Sequence, residues 1–141
     1  MSDPASDLGF PVVDLPPSAG SSPEVAVRFL VGQLVESGRL RAEHAERVTC
    51  QVLRRESQGS TGIGRGVAVP HSKSDAVDRV LGIVGRSGMP VVWPGALDAV
   101  PVRIVCLLVT PASDPRECLR ALETVVRRLQ GDTGKGRSGP A

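Results

Sequence analysis

The first apolar period along the chain is helical: Val27, Leu30, Val31, Leu34 and Val35 fall at i, i+3, i+4, i+7 and i+8, so one side needs a core. Ser22, Pro23 and Glu24 ahead of it supply a hydroxyl cap, a proline suited to the first helical position and an acid at the positive helix end. With Gly38 as a stop, the spacing predicts a helix from Pro23 to about Ser37. The period returns in Ala45, Val48, Thr49, Val52 and Leu53, among Glu43, Glu46, Arg47 and Arg54, and predicts a second helix from Ala42 to about Glu56. Then the pattern changes. Ser57 to Gly66 holds four glycines, Gly59, Gly62, Gly64 and Gly66, too many for either regular element, and Val67-Ala68-Val69 follows as a short strand stopped by Pro70. Arg79 to Arg86 reads as a strand through Val80, Leu81, Ile83 and Val84, and Val91-Val92-Trp93 as a further short one between Pro90 and Pro94. Val102 to Val109 is almost continuously apolar, the pattern of a strand covered on both faces. Asp114, Pro115 and Glu117 open a third helix with Leu119, Leu122, Val125, Val126 and Leu129 as its apolar positions. Near the start, Val12, Val13 and Leu15 suit one edge strand.

Helix, helix, three or four strands, helix is an α/β order, and it predicts a single layered domain with a mixed β-sheet flanked by helices. We expect that domain at residues 11–130, a flexible proline-containing arm at 1–10 and a flexible Gly-rich tail at 131–141, where no apolar period remains. A hydrophobic fraction of 40% is enough for a core. The formal charge of +2 gives no general attraction to nucleic acid, and Phe10, Phe29 and Trp93, the only aromatics, make no base-stacking platform. Cys50, Cys106 and Cys118 are an odd number at wide spacings, against a disulfide framework and against a Cys-rich zinc site. The longest apolar stretch, Ile104 to Val109, is far short of the roughly 20 residues that cross a bilayer, and the N-terminus lacks a signal pattern, so we expect a cytoplasmic protein with no membrane insertion.

His71 follows directly on the end of a strand, where side chains meet solvent or ligand. An imidazole with an ordinary pKa of about 6.5 is largely neutral at pH 7 and keeps one nitrogen lone pair for use as nucleophile, base or ligand. The plainer account is a surface histidine bonded to loop backbone. Upstream, Thr61-Gly62-Ile63-Gly64-Arg65-Gly66 offers backbone N–H groups that approach an anion closely, with Gly64 and Gly66 as candidate phosphate-binding positions; tight turns explain such glycines equally well. The run lacks a Gly-Lys-Ser/Thr ending and precedes a strand, so neither a Walker loop nor a dinucleotide fingerprint is supported. Arg55 and Glu56 end the second helix, and a loop folding back brings the Arg55 fork of donors beside His71, unless Arg55 is simply a solvated cation at the negative helix end. Ser72 adds a hydroxyl. His71 and His44 have no ligand spacing and no aligned carboxylate, which argues against a metal.

The stretch from Arg55-Glu56 through Ser60-Thr61-Gly62-Ile63-Gly64-Arg65-Gly66-Val67-Ala68-Val69-Pro70-His71 resembles the signature of the type-2 enzyme IIA domains of the bacterial sugar phosphotransferase system, the mannitol and fructose kind together with the nitrogen-regulatory branch. The similarity extends through Val84, Val92-Trp93, the Val102 to Val109 strand with Thr110-Pro111, and the Leu119 and Leu122 helix, over about residues 11 to 130. The resemblance implies the family's fold. It also implies that His71 takes a phosphoryl group on Nε2 from the phosphohistidine of an HPr-type carrier and passes it to a IIB domain or uses it as a signal to a regulatory target, with Arg55 assisting phosphate binding. No cofactor, nucleotide or metal enters such a transfer between imidazoles.

Two departures stand beside the resemblance. The family's second histidine, at the start of the last helix, corresponds here to Cys118, a weaker and less directional hydrogen-bond donor. Related domains also continue beyond that helix, which predicts exposed apolar surface here, open to a partner or a second copy. Two functions follow: a stand-alone phosphocarrier, regulatory more than sugar-transporting, or a degenerate, non-phosphorylated interaction module of the same fold.

Overall fold

The computed structural model describes residues 8–131. Strand β1 (Val12–Asp14) leads to helices α1 (Pro23–Glu36) and α2 (Ala45–Gln58). Strands β2 (Gly62–Gly64), β3 (Val67–Ala68), β4 (His71–Ser74), β5 (Leu81–Val91) and β6 (Val102–Pro111) follow, and helix α3 (Pro115–Val126) runs into a π-helical turn, Arg127–Gly131. The strands form one six-stranded mixed sheet in the order β1-β5-β6-β3-β2, with β4 also on β6. β1 is parallel to β5, β3 and β4 are parallel to β6, and the pairs β5/β6 and β2/β3 are antiparallel.

The α1 signals act as their chemistry requires: the Ser22 hydroxyl accepts from the Val25 amide at 3.2 Å, Pro23 opens the helix, and Gly38 leaves it with φ of +79°. β6 explains the layering. Val105, Leu107 and Val109 enter one core with Val27, Leu30 and Leu34 of α1 and Val48 and Val52 of α2. Alternate residues Cys106 and Leu108 enter a second core with Val125, Leu129 and the half-buried Leu122 and Phe10. Successive strand residues point to opposite faces, so an unbroken apolar run needs helices on both sides.

Several expectations are corrected. Gly62–Gly64 is a strand, because backbone pairing with β3 needs no side chain, and a Cβ on Gly62 would lie 2.6 Å from the Ala96 Cβ. The Gly64-Arg65-Gly66 turn between β2 and β3 has all three φ angles positive, at 93°, 59° and 81°, which is what the flanking glycines allow. Pairing does not stop at Pro70. Proline lacks the N–H but keeps its carbonyl, which accepts from the Leu108 amide at 3.0 Å, so the chain rejoins β6 and His71 opens β4. Strands expected at 79–86 and 91–93 are one strand, β5, with Val92 and Trp93 beyond it. Pro90 is tolerated there because β1 pairs with β5 only as far as Arg86.

On α3 and the π-helical turn after it the buried stripe runs through Cys118, Val125 and Leu129, with Ala121 and Leu122 half-buried, while Leu119 is 67% exposed. Leu122, Val125 and Leu129 face the core as expected, while Leu119 turns outward and Cys118 and Ala121 complete the stripe in its place. At the N-terminus, Leu8 and Phe10 pack on the second core, with the Phe10 ring against Gly82, so packed chain begins inside the stretch expected as an arm. Residues 1–7 and the tail beyond Gly131 lie outside the described residues.

Candidate functional site

Strand β4 and the Pro70 break together orient His71. The register sets His71 opposite Leu108, and the imidazole Nδ1 lies 2.7 Å from the Val69 carbonyl. A carbonyl only accepts, so Nδ1 carries the ring proton and donates it, and Nε2 keeps its lone pair. The ring is half-buried. Burial, which disfavours the charged imidazolium, holds the His71 pKa below its ordinary value of 6.5; the Val69 bond opposes this, the Arg55 charge adds to it and the Glu56 charge opposes it. His71 is therefore neutral at pH 7, with the Nε2 lone pair free.

A cavity of about 390 Å³ opens beside it. α2 contributes Gln51, Arg54, Arg55 and Gln58, β4 contributes His71, Ser72 and Lys73, and α3 contributes Cys118. Arg54, Arg55 and Lys73 bring three cations and the lining contains no acid, so the space favours an anion. The Arg55 Nη1 donates to the Gly59 carbonyl at 2.8 Å. Among the described residues the Arg55 guanidinium makes no other hydrogen bond, and its fork geometry suits an anion. The Ser72 hydroxyl donates to the Lys73 carbonyl at 2.9 Å. Cys118 is buried on its helix and borders the cavity through that position.

Of the residues singled out in the sequence, His71, Arg55, Ser72 and Cys118 line this one cavity. Gly64 and Gly66 do not. Their turn faces the 98–101 segment, where the Arg65 amide donates to Asp98 Oδ2 at 3.1 Å and the Gly66 carbonyl accepts from the Arg103 and Ile104 amides. A carboxylate of the chain already answers the turn's amide, so the glycines serve the hairpin. His44 sits at the opposite end of α2, beside Arg47.

Sequence reasoning missed Glu56. Its carboxylate accepts from the Thr61 amide and the Trp93 Nε1, each at 3.0 Å, and from the Thr61 hydroxyl. The available signal was Trp93, whose indole N–H needs an acceptor once buried. Gln51 was missed as well; its buried Oε1 has no hydrogen-bond partner among the described residues. Lys73, two positions after His71 on the same strand, was legible as a charge and not as part of a site.

Residues 13–134 match the family described as phosphoenolpyruvate-dependent sugar phosphotransferase system, EIIA 2. A nitrogen regulatory protein of Bradyrhizobium diazoefficiens is 31% identical over 127 residues, spanning 90% of this chain and 80% of that protein. A PTS system fructose-specific EIIA component of Haloferax volcanii is 29% identical over 106 residues, 75% of this chain and 67% of its own length. Among solved structures, the nitrogen regulatory protein IIA-Ntr of Neisseria meningitidis superposes with a TM-score of 0.67 at 28% identity, covering 82% of this chain and 75% of that one. Among the described residues, no helix is long and apolar enough to cross a membrane.

Proposed function

Because this chain belongs to the EIIA 2 family of the phosphoenolpyruvate-dependent sugar phosphotransferase system, we propose that it is a phosphocarrier that accepts a phosphoryl group on His71 Nε2. The donor is the phosphohistidine of an HPr-type carrier in the cytoplasm. The Nε2 lone pair attacks phosphorus, the donor's N–P bond breaks, and its electron pair returns to the donor imidazole. One N–P bond replaces another, so the protein's work is alignment and stabilisation of the charge spread over the equatorial oxygens. Arg55 and Lys73 supply cationic donors to those oxygens, and Ser72 a hydroxyl at the cavity wall.

The observation that carries this reading is the 2.7 Å contact of Nδ1 with the Val69 carbonyl, which leaves Nε2 unprotonated in a cationic cavity. Incubation with a phosphorylated HPr-type protein is expected to label wild type and not His71→Ala; label that persists in the variant rejects the assignment. The likeness to nitrogen regulatory proteins supports a signalling role over sugar transport, with the phosphoryl group passed to a IIB domain in the transport alternative.

One observation favours a second reading. Cys118, where the resemblance implies a second histidine, takes a stronger hydrogen-bond donor out of the cavity. That suits a non-phosphorylated interaction module. Wild type that stays unlabelled by every HPr-type donor, yet binds a regulatory target through the His71 face, would select it.

A further inference from the structure

Resting on His71 as the acceptor, we propose that Glu56 is a positioning residue that fixes the Arg55 guanidinium beside His71 by stapling the loop on which Arg55 is anchored. Arg55 and Glu56 are consecutive at the end of α2, so their side chains leave the helix about 100° apart. Arg55 lines the cavity, while Glu56 turns to Thr61 and Trp93. One carboxylate thus holds three donors from two segments, and both partner residues are buried, Thr61 at 4% and Trp93 at 7% exposure.

What the staple fastens is short. The chain leaves α2 at Gln58 and starts β2 at Gly62, and within that bridge the Gly59 carbonyl holds Arg55 at 2.8 Å. Nothing packs on the Cβ side of Gly59: a Cβ there would meet nothing within 4 Å. Its amide bonds the Glu56 carbonyl at 3.2 Å, and two residues on, the Thr61 amide bonds the Glu56 side chain. The anchor of the guanidinium is therefore set from both sides by Glu56. Without the carboxylate the Gly59 carbonyl drifts, and the guanidinium with it.

Two double-mutant cycles test this with Arg55→Ala, Glu56→Gln and the double variant. The first follows the His71 titration by NMR and needs no phosphoryl donor. Among the described residues, Arg55, Arg54, Lys73, Glu56 and the Cys118 thiol are the ionisable groups around that ring. Removing Arg55 raises the His71 midpoint, because a neighbouring cation is lost. The rise is expected to be at least about halved when Glu56 is already Gln, and comparing the two backgrounds cancels the direct effect of the Glu56 charge. Equal rises overturn the proposal.

The second cycle measures transfer from the HPr-type donor. Glu56→Gln is expected to lower kcat about tenfold with KM nearly unchanged, and to add nothing in the Arg55→Ala background. Fully additive losses mean a merely structural role and overturn the proposal. A wild type that takes no phosphoryl group sinks the phosphocarrier reading alone, and the first cycle still decides Glu56. Should Glu56→Gln fail to fold, Thr61→Val removes one of the three donors at nearly constant volume and enters both cycles in its place, with the same pattern expected at smaller size.

Discussion

A single hydrogen bond decides the chemistry of His71. By holding the proton on Nδ1, the Val69 carbonyl presents the bare nitrogen to the cavity, and burial holds the ring's pKa below its ordinary value. An NMR titration is expected to give His71 a midpoint below 6.5; a midpoint above it contradicts the burial argument. The same shift bears on stability. On acidification the unfolded chain takes up this proton first, so the contribution is complete above about pH 6.5 and is lost as pH falls toward the folded midpoint. In His71→Gln the unfolding midpoint is expected to depend less on pH across that window, as denaturation between pH 5 and 7.5 will show. Cys118 is a matching test: Cys118→Ala should leave transfer within about twofold, since a thiol is a weak donor, and Cys118→His should raise it. A rate abolished by Cys118→Ala would assign the thiol a direct part. At this scale His71, Arg55 and Ser72 stood out as cavity residues through their own side-chain chemistry, and Cys118 only through the resemblance. Gly64 and Gly66 were not, because glycine records that a backbone is permissive without recording what approaches it. Glu56 was hidden because a carboxylate beside an arginine at a helix end reads as a solvated pair until Trp93 is brought to it.

Among the elements, the interrupted strand is the feature on which the site depends. β3 and β4 lie along the same partner, β6, and Pro70 between them withholds one N–H while its carbonyl keeps the register. A sequence scan sees proline and stops the strand; the carbonyl is invisible to it. The β2 hairpin escaped notice for a related reason, since its pairing is carried by backbone alone. Its packing is testable: Gly62→Ala places a methyl 2.6 Å from the Ala96 Cβ and 2.9 Å from its Cα, and should cost about 1–3 kcal/mol by overpacking. Denaturant unfolding measures it, and a loss near zero would mean that the 93–97 segment yields freely. On the sheet itself, Leu107→Ala should cost about 2–5 kcal/mol because Leu107 is wholly buried between β6 and the α1–α2 layer. By contrast Leu119→Ser, on the exposed side of α3, should change stability by no more than about 0.5 kcal/mol. Helical period placed Leu119 with Leu122, Val125 and Leu129; the last three meet the second core, and Cys118 takes the inward place of Leu119 because that side of α3 meets Cys106 and Leu108.

For the molecule as a whole, the layers and the site are one design. A sheet covered on both faces fixes β4 firmly, α2 from one layer brings Arg54 and Arg55 to its edge, and α3 from the other brings Cys118, so the cavity forms where both layers meet a strand end. The α/β order and the two-faced β6 were readable from apolar spacing, whereas the meeting of α2 with α3 across β4 is a consequence of topology that no local pattern encodes. The decisive experiment is phosphoryl uptake from a radiolabelled, phosphorylated HPr-type protein, followed by peptide mapping of the labelled chain. One acid-labile phosphoryl group per chain, on the His71 peptide and absent from His71→Ala, is the expected result. Label on any other residue, or wild type that remains unlabelled while the donor still phosphorylates an authentic enzyme IIA, would contradict it.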